Sequence, residues 1–473
     1  MALTKVTGGL LGNLPTGTGN VAVGDTALDS IESGAQYNVA IGSAAGTALT
    51  TASNNTAVGT SVLIANTTGA NHTAMGYQAL ASVTTASNNT AFGYQALLDN
   101  TSGTNNVAMG TLALENNTTG SNNVGLGREA LGANTTGTRN TAVGKNAGLS
   151  ATTGDDNTFI GQDSGDAVTT ASDNTAVGSY SLTSTTTGAR NVAIGYSSLE
   201  SNTTASDNTA VGKSALAANT TASNNTAVGK SALVANTTGT QNVAVGEAAG
   251  ASITTGSYNT IFGYGAGATN ITSSSNTFMG RQAGYYATGS DNTFIGYYAG
   301  GEITTGSKNT IIGKYNGNQG GVDIRTASNH IVLSDGDGNP RMHFNASGHP
   351  FIRETRASAG NYAVKLTAGS AELTFDTSSA RYKDNIRDST YGLSAVMQLQ
   401  SRMFEYKADD QRTDVGFIAE EVNEVIPELV AIDGEGRPDA VHYDRITSVL
   451  LKAIQEQNAL ITALTARVAE LEG

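Results

Sequence analysis

Cysteine and tryptophan are absent from this chain of 473 residues, and proline occurs only five times. Without cysteine the chain can form neither a disulfide nor a thiolate metal site. Charged residues make up only 14% of the sequence, and the net charge is −14. Because contacts to phosphate groups require a basic surface, this charge argues against a nucleic-acid-binding protein. No motif indicates a metal or a cofactor.

Long apolar segments are also missing. No window approaches 18 consecutive apolar residues, so the sequence predicts no membrane span. The first residues lack the basic region, apolar run and small-residue cleavage site of a secretory signal. If the protein acts outside a cell, we expect it to reach the exterior by another route, such as assembly onto a particle released by lysis.

A repeat dominates the sequence. The unit Asn-(Thr/Val)-(Ala/Phe/Ile)-(Val/Ile/Met/Phe)-Gly recurs 18 times, with closing glycines from Gly24 to Gly313 and a constant spacing of 17 between Gly42 and Gly280. Short apolar stretches between Gly, Asn and Thr-Thr-Gly are typical of strands and turns. One such strand buries little surface, whereas stacked copies build a continuous core. The repeat therefore predicts a mainly β fold, a repetitive β-roll or β-helix with one coil per repeat.

Individual repeat positions predict the details of the coil. The closing glycine suits a turn with positive φ or a close backbone approach, and the leading asparagine suits a ladder of stacked amides. At about 4.8 Å per coil, the repeats span roughly 85 Å. Ala-Leu pairs such as Ala96 and Leu97 add a second apolar anchor to many coils. Because one coil gives a thin core, we expect three chains to pack these anchors together as a homotrimer.

The Asn-Thr-Ala-Val-Gly unit resembles the head repeats of trimeric autotransporter adhesins. That family forms left-handed parallel β-rolls, and the resemblance covers residues 19–313. It implies the same class of fold and a trimer. Residues 1–18 are interpreted as an N-terminal attachment segment.

The period stops after Gly313, and residues 314–377 are interpreted as a β-rich neck or tip. Residues 329–333 and 341–344 read as a hairpin around the polar turn 335–340, and further strand patterns lie at 362–366 and 372–375. The turn begins like a calcium-binding loop but lacks the glycine and the glutamate that such a loop requires, so a plain hairpin turn is predicted.

Composition changes again near residue 377. Residues 379–473 hold 27 charged residues in 95, against 25 in the first 313. Residues 378–473 are therefore interpreted as a small α+β domain, with an amphipathic helix within 416–427. Heptad spacing predicts a coiled coil at about 444–472, although its pattern alone favours two strands. The a positions are Thr447, Ile454, Ile461 and Val468, and the d positions are Leu450, Gln457, Leu464 and Leu471.

The start of this last domain reads Ser-Ser-Ala-Arg-Tyr-Lys-Asp-Asn-Ile at 378–386. Together with Gly-Phe-Ile-Ala-Glu-Glu-Val at 416–422, Pro-Glu-Leu-Val at 427–430, Tyr443 and the segment 450–456, it resembles the endosialidase-type intramolecular chaperone domain. Members of that family end phage tail fibres and tailspikes, trimerise, template the folding of the upstream fibre and release themselves through a Ser–Lys dyad. The resemblance implies that Ser378 is the nucleophile, Lys383 the general base and Arg381 the arginine of the motif.

This dyad is chemically sensible. A serine hydroxyl is a weak nucleophile until a base takes its proton, and a lysine can act as that base when burial lowers its pKa. Since folding and trimer closure would bury Lys383, cleavage would occur only after the trimer has assembled. Within one chain, geometry favours cleavage between Thr377 and Ser378. Cleavage between Ser378 and Ser379 stays open if another subunit supplies the attack.

Tyrosines crowd the last repeats. Exposed rings could stack on the faces of host sugars, or they could cap the end of a thin core. These candidate receptor contacts are Tyr264, Tyr285, Tyr286, Tyr297, Tyr298 and Tyr315.

The sequence as a whole predicts a trimeric tail fibre for host-surface recognition. We expect its N-terminus to join a virion tail or baseplate, its surface to bind a glycan or protein receptor, and the particle to be extracellular after release. Self-cleavage is the only enzymatic activity expected. The alternatives are a cell-surface trimeric adhesin and a polysaccharide-degrading tailspike, which would need paired carboxylates.

Overall fold

The computed structural model describes residues 18–352, 364–366, 373–375, 384–405 and 413–473. The chain divides into two compact units, Met1–Thr355 and Arg356–Gly473. The first unit is a β-solenoid, and the second is a small α/β region.

Eighteen three-residue strands recur along the described part of the solenoid, one in each repeat. Strands β1 to β18 are Val21–Val23, Val39–Ile41, Thr56–Val58, Thr73–Met75, Thr90–Phe92, Val107–Met109, Val124–Leu126, Thr141–Val143, Thr158–Ile160, Thr175–Val177, Val192–Ile194, Thr209–Val211, Thr226–Val228, Val243–Val245, Thr260–Phe262, Thr277–Met279, Thr293–Ile295 and Thr310–Ile312.

Each strand pairs in parallel with the strand of the next repeat. Thr141 lies opposite Thr158, and Ala142 lies opposite Phe159. Equivalent residues of neighbouring coils are 17 apart, except for a step of 18 at the first coil and of 16 before β17. The predicted mainly β solenoid of about 18 turns, with one coil per 17-residue repeat, is confirmed.

The middle residue of every strand points into the core, because side chains alternate between the two faces of a strand. This residue is usually alanine, as at Ala142, and is fully buried. In five strands it is larger. These larger core residues are Phe159, Ile261, Phe278, Phe294 and Ile311.

The Ala-Leu anchors complete the core of the same chain. Ala96 and Leu97 are both 0% exposed within a single chain. The expectation that three chains pack these anchors against one another was therefore wrong, since the anchors are already buried inside the coil that carries them. Any association between chains must use other residues.

The closing glycine of each repeat is required by its backbone. Gly144 has a φ of +137°, and a β-carbon there would lie 2.5 Å from the carbonyl oxygen of Gly161 in the next coil. Any side chain would force neighbouring coils apart. The predicted positive φ and close approach are both present.

The leading asparagines form the predicted ladder. Asn157 donates its backbone N–H to Oδ1 of Asn140 at 2.9 Å, and its side-chain amide also reaches that oxygen at 3.1 Å. The amide of Asn140 donates to the carbonyl oxygen of Gly154 at 2.7 Å. Since these side chains are buried, each rung satisfies backbone groups that water cannot reach.

The hairpin predicted after the repeats extends the solenoid. Strand β21 (Ile331–Ser334) pairs in parallel with β18 and therefore adds another rung to the sheet. Strands β22 (Pro340–Phe344) and β23 (Pro350–Ile352) follow in antiparallel order. Between β18 and β21, the short strands β19 (Asn318–Gln319) and β20 (Val322–Asp323) pair with each other.

The turn of this hairpin is held by Asp335. Its Oδ1 atom accepts the backbone N–H of Asn339 at 2.8 Å, and its Oδ2 atom accepts from the guanidinium of Arg341. The hydrogen bond from Asn339 is the main cause that lowers the pKa of Asp335 to about 2. The predicted hairpin turn is confirmed.

The second unit contains short strands and three helices in its described part. Its pairs of antiparallel strands are β24 (Val364–Leu366) with β25 (Leu373–Phe375), β26 (Arg402–Glu405) with β27 (Thr413–Gly416), and β28 (Val430–Ile432) with β29 (Pro438–Val441). The helices are α1 (Leu393–Val396), α2 (Ala419–Val425) and α3 (Tyr443–Glu472), with a 3-10 turn at Pro427–Leu429.

Helix α3 is anchored only near its start. Its buried residues are Val449 and Ala453, and Val449 packs on the core around Val422 and Ile426 of the same unit. Further along, the heptad residues Ile461 and Leu464 are exposed. The helix predicted at 444–472 is therefore present, while the coiled coil stays a prediction. Among the described helices, none is long and apolar enough to cross a membrane.

Candidate functional site

The predicted self-cleavage residues lie outside the described residues. They are Thr377, Ser378, Ser379, Arg381 and Lys383. Their proposed roles therefore stay predictions based on the motif. The described remainder of the second unit shows how several other motif residues are used.

Tyr443 connects the start of α3 to the end of β27. Its hydroxyl oxygen accepts the backbone N–H of Phe417 at 2.8 Å, and the two rings lie 6.1 Å apart. A β-carbon at Gly416 would come within 2.5 Å of that hydroxyl. The Gly-Phe pair and the distant tyrosine of the motif thus form one contact, which fixes the long helix on the small domain.

A second contact fixes helix α1 on α3. The backbone N–H of Leu393, at the start of α1, donates to Oε2 of Glu456 at 2.7 Å. Next to these helices lies an apolar cavity of about 190 Å³. Val396, Leu399, Phe417, Ile446 and Val449 line it.

The structure separates the candidate tyrosines into different environments. Tyr264, Tyr286 and Tyr297 are exposed by 52%, 48% and 48%. Tyr285 and Tyr298 are half-buried. Tyr315 is fully buried, and its hydroxyl contacts the carbonyl oxygens of Gly317 at 2.8 Å and Val322 at 3.0 Å. The expectation that Tyr315 contacts a receptor was therefore wrong, because this ring closes the end of the core.

Tyr285 packs on Tyr286, and Tyr298 packs on Tyr297 with ring centres 6.4 Å apart. The rings of Tyr285 and Tyr286 meet edge to face with centroids 4.8 Å apart. Burial, followed by the nearby Glu302 carboxylate, raises the pKa of Tyr298. For these rings, contact with a receptor stays a prediction.

Tyr264 and Tyr297 belong to a different arrangement. Each directly follows a closing glycine, and the same position holds Arg281 and Lys314 in alternating coils. The Arg281 guanidinium lies 5.7 Å from the ring centres of both tyrosines, and the Lys314 ammonium lies 5.8 Å from that of Tyr297. We call these four residues the tyrosine–cation column. Sequence reasoning missed its two cations, although their position after the glycine was visible in the repeat.

The outward side of the parallel sheet is the other distinctive surface. We call the first and third residues of strands β1 to β18 the outer face. Every first residue is Val or Thr, every third residue is Val, Ile, Leu, Met or Phe, and none is charged. Large third residues exposed by 36% to 46% are Ile41, Met75, Met109, Leu126, Ile160, Ile194, Phe262, Met279, Ile295 and Ile312.

Comparison with known proteins assigns the C-terminal part to a family. Residues 378–431 match the family described as chaperone of endosialidase. No curated protein and no solved structure matches the chain. The protein thus combines a repetitive β-solenoid with a chaperone-of-endosialidase domain at the C-terminus, which is the organisation of a fibre-like or tailspike-like protein.

Proposed function

We propose that the protein is a homotrimeric tail fibre that recognises a host surface and is folded by a C-terminal chaperone that then cleaves itself off. The observation that carries this proposal is the outer face of the solenoid. The third residues of the strands form a continuous row of apolar side chains along this face, and a soluble monomer rarely exposes such a row over this length. The charged residues of the same coils, such as Arg139 and Asp156, lie outside this face.

The size of the outer face suits a stable interface. Eighteen strands at about 4.8 Å and a width of three residues give a surface of roughly 85 by 10 Å, or about 850 Å². A standard protein interface removes about 800 Å² from each partner. The face is therefore comparable in area to one side of a standard interface.

The period of the face identifies its partner. A partner that covers the whole face must present apolar groups at the same interval of about 4.8 Å over the same length. A parallel copy of the same chain meets this requirement, and a globular protein does not. The chaperone family supports three copies rather than two. The exposed apolar heptad positions of α3, including Ile461 and Leu464, provide a second association surface.

A C-terminal template would prevent the chains of this fold from associating in the wrong register. Parallel pairing between distant residues forms slowly and is prone to misassembly. Since every repeat looks alike, chains could associate out of register by one coil. A trimeric C-terminal domain that forms first would align the last coils of three chains, and the register would then propagate towards the N-terminus.

Self-cleavage follows from the motif around Ser378. In the proposed step Lys383 takes the proton of the Ser378 hydroxyl, whose oxygen attacks the carbonyl carbon of Thr377. The peptide nitrogen of Ser378 leaves with a proton, and water then hydrolyses the resulting ester. No cofactor is needed. The N-terminus would join the virion tail or baseplate, and the fibre surface would contact a glycan or protein receptor outside the cell.

Mass spectrometry of freshly expressed full-length protein tests the proposal. We expect a trimer under native conditions and two fragments meeting near residue 378 under denaturing conditions. The Ser378→Ala variant should stay uncut, whereas Ser389→Ala should be cut like the wild type. A monomer would refute the trimeric fibre. An uncut wild-type trimer would leave the fibre but reduce the C-terminal domain to a permanent trimerisation cap.

A further inference from the structure

We propose that the tyrosine–cation column is a binding site for an acidic polysaccharide that lies along the fibre axis. In this site Arg281 and Lys314 bind carboxylates of the glycan, while Tyr264 and Tyr297 hold the two cations in place. The inference rests on the proposed function, because it names a ligand class for the receptor-binding surface of the fibre.

The first observation is the alternation of rings and cations. The Arg281 guanidinium lies between the rings of Tyr264 and Tyr297, and the Lys314 ammonium lies beyond Tyr297. A cation beside the face of an aromatic ring is held there by the ring quadrupole. The rings therefore keep both long side chains ordered along the column, which reduces the entropy lost when a ligand binds.

The second observation is that these cations have no acidic partner. Elsewhere on the solenoid, cations such as Arg139, Arg190 and Lys230 pair with a carboxylate one coil away, at 2.6 to 2.8 Å. Across residues 18–352, no carboxylate lies within 4.0 Å of the charged groups of Arg281 and Lys314. Within residues 18–352, Lys145, Lys213 and Lys308 lack such a partner as well. Arg281 and Lys314 differ from them because both lie beside the ring of Tyr297. In a chain with a net charge of −14, two such cations two coils apart favour an anionic ligand.

The spacing of the column points to a linear polymer. The four residues occupy the same position in successive coils, so Arg281 and Lys314 are separated by about 10 Å along the axis. This separation is close to the length of a disaccharide unit in an extended glycan. A polysaccharide with a carboxylate on every second sugar can therefore meet both cations with successive acid groups, and one with a carboxylate on every sugar can meet them with alternate acid groups.

The surroundings favour a sugar polymer over a nucleic acid. The rings of Tyr264 and Tyr297, which lie beside the cations and outside the outer face, are exposed by 52% and 48%. The C–H faces of sugars can lie on such exposed rings. A double-stranded nucleic acid carries one negative charge for about every 1.7 Å of its axis, a density that two cations about 10 Å apart do not match.

Other tyrosines at the same position lack this alternation. Tyr77 and Tyr94 stack on each other with centroids 5.5 Å apart, without a cation between them. Lys213 lies 5.8 Å from the ring of Tyr196, and the next coil holds Lys230, which pairs with Glu247. Lys213 is therefore a matched control, since it is a cation beside a tyrosine outside the proposed site.

Binding of the full-length trimer to immobilised hyaluronate, polygalacturonate and alginate tests the site. We expect binding to at least one of these carboxylated glycans and none to its carboxyl-reduced form. Arg281→Gln and Lys314→Gln should each weaken binding by about tenfold or more, because each removes a charged hydrogen-bond donor. Lys213→Gln should bind like the wild type. Tyr297→Phe should retain binding, whereas Tyr297→Ala should weaken it several-fold.

Two results with the acidic glycans would overturn the inference. One is an absence of binding to all three acidic glycans, and the other is binding that Arg281→Gln and Lys314→Gln leave unchanged. Equal retention on polyphosphate or single-stranded DNA would also contradict it, because it would show only general attraction of polyanions. The native mass of each sample separates this result from the fibre proposal: a trimer that fails to bind refutes the site alone, and a monomer refutes the fibre.

Discussion

The ring of Phe159 occupies the space that a side chain at Gly148 would need. A β-carbon at Gly148 would lie 2.6 Å from the Cδ2 atom of Phe159. In the preceding coil the position equivalent to Gly148 is Leu131, and it packs near a strand whose core residue is Ala142. One coil thus combines a glycine with a large core residue of the strand, and the other combines a leucine with an alanine. Both combinations fill the narrow core.

This exchange predicts the effect of Gly148→Ala. The added methyl group meets Phe159, and overpacking of this kind costs about 1–3 kcal/mol. The positive φ of Gly148 adds to the cost, although Leu131 tolerates a φ of +53° at the equivalent position. We expect Gly148→Ala to lower the free energy of unfolding by about 2 kcal/mol, as measured by urea denaturation.

A double-mutant cycle isolates the contact with the ring. Phe159→Ala alone should cost about 3–5 kcal/mol, because it leaves a cavity. In that background Gly148→Ala should cost much less than it does in the wild type. Equal costs in the two backgrounds would show that backbone strain, and not the ring, excludes a side chain from this position.

His72 replaces asparagine in the buried ladder and makes one rung sensitive to pH. Its Nδ1 atom accepts the backbone N–H of Asn89 at 3.2 Å, and its Nε2 atom donates to the carbonyl oxygen of Ala86 at 2.8 Å. This arrangement requires the neutral ring. Burial lowers the pKa of His72 below its ordinary value of 6.5, despite its backbone hydrogen bonds.

The direction of the pH effect follows from this lowered pKa. Below pH 6.5 the unfolded chain binds a proton at His72 that the folded chain rejects, so stability falls as the pH falls. The loss is at most about 1.4 kcal/mol for each pH unit. His72→Asn should show a flatter pH dependence between pH 7 and 5 in thermal unfolding. Parallel curves for the two proteins would contradict the assignment, since His330 and all other groups are the same in both.

The sequence predicted the coil, its register and its glycine turns because these depend on local periodicity. It could not place Leu97, which has a φ of +53°. Such a backbone conformation is rare for leucine, and it turns the side chain into the core of its own coil. Because the sequence does not reveal this conformation, the Ala-Leu pair was interpreted as a contact between chains. Tyr315 was misplaced for a similar reason, since its neighbours Gly317 and Val322 enclose it only in three dimensions.

The outer face predicts how assembly can be blocked without unfolding a coil. Met109 and Ile194 point away from the core of their own chain. The double variant Met109→Lys with Ile194→Lys would bury charges without partners in the proposed interface, which costs several kcal/mol per ion. We expect the trimer to dissociate in sedimentation velocity measurements, while the far-ultraviolet circular dichroism of the solenoid is retained.

A lysine elsewhere on the same coils controls for net charge. Ser102 and Thr204 are exposed at a turn outside the outer face. The double variant Ser102→Lys with Thr204→Lys should remain trimeric. If both double variants remain trimeric, the outer face is not the interface; if both dissociate, added charge alone explains the effect.

Helix α3 predicts a separate requirement during folding. Leu464 is 66% exposed and lies at a d position of the heptads. In the proposed trimer, Leu464→Asp would remove roughly 1.5–3 kcal/mol of apolar burial per chain and place three carboxylates together. We expect the yield of soluble trimer to fall strongly, because chains that are not aligned at the C-terminus misassemble.

Ala466→Asp, two residues further along on the outer side of the heptads, should assemble normally. Normal yield from Leu464→Asp would show that α3 does not align the chains, and the template would then have to reside in the small domain around Val422 and Leu429.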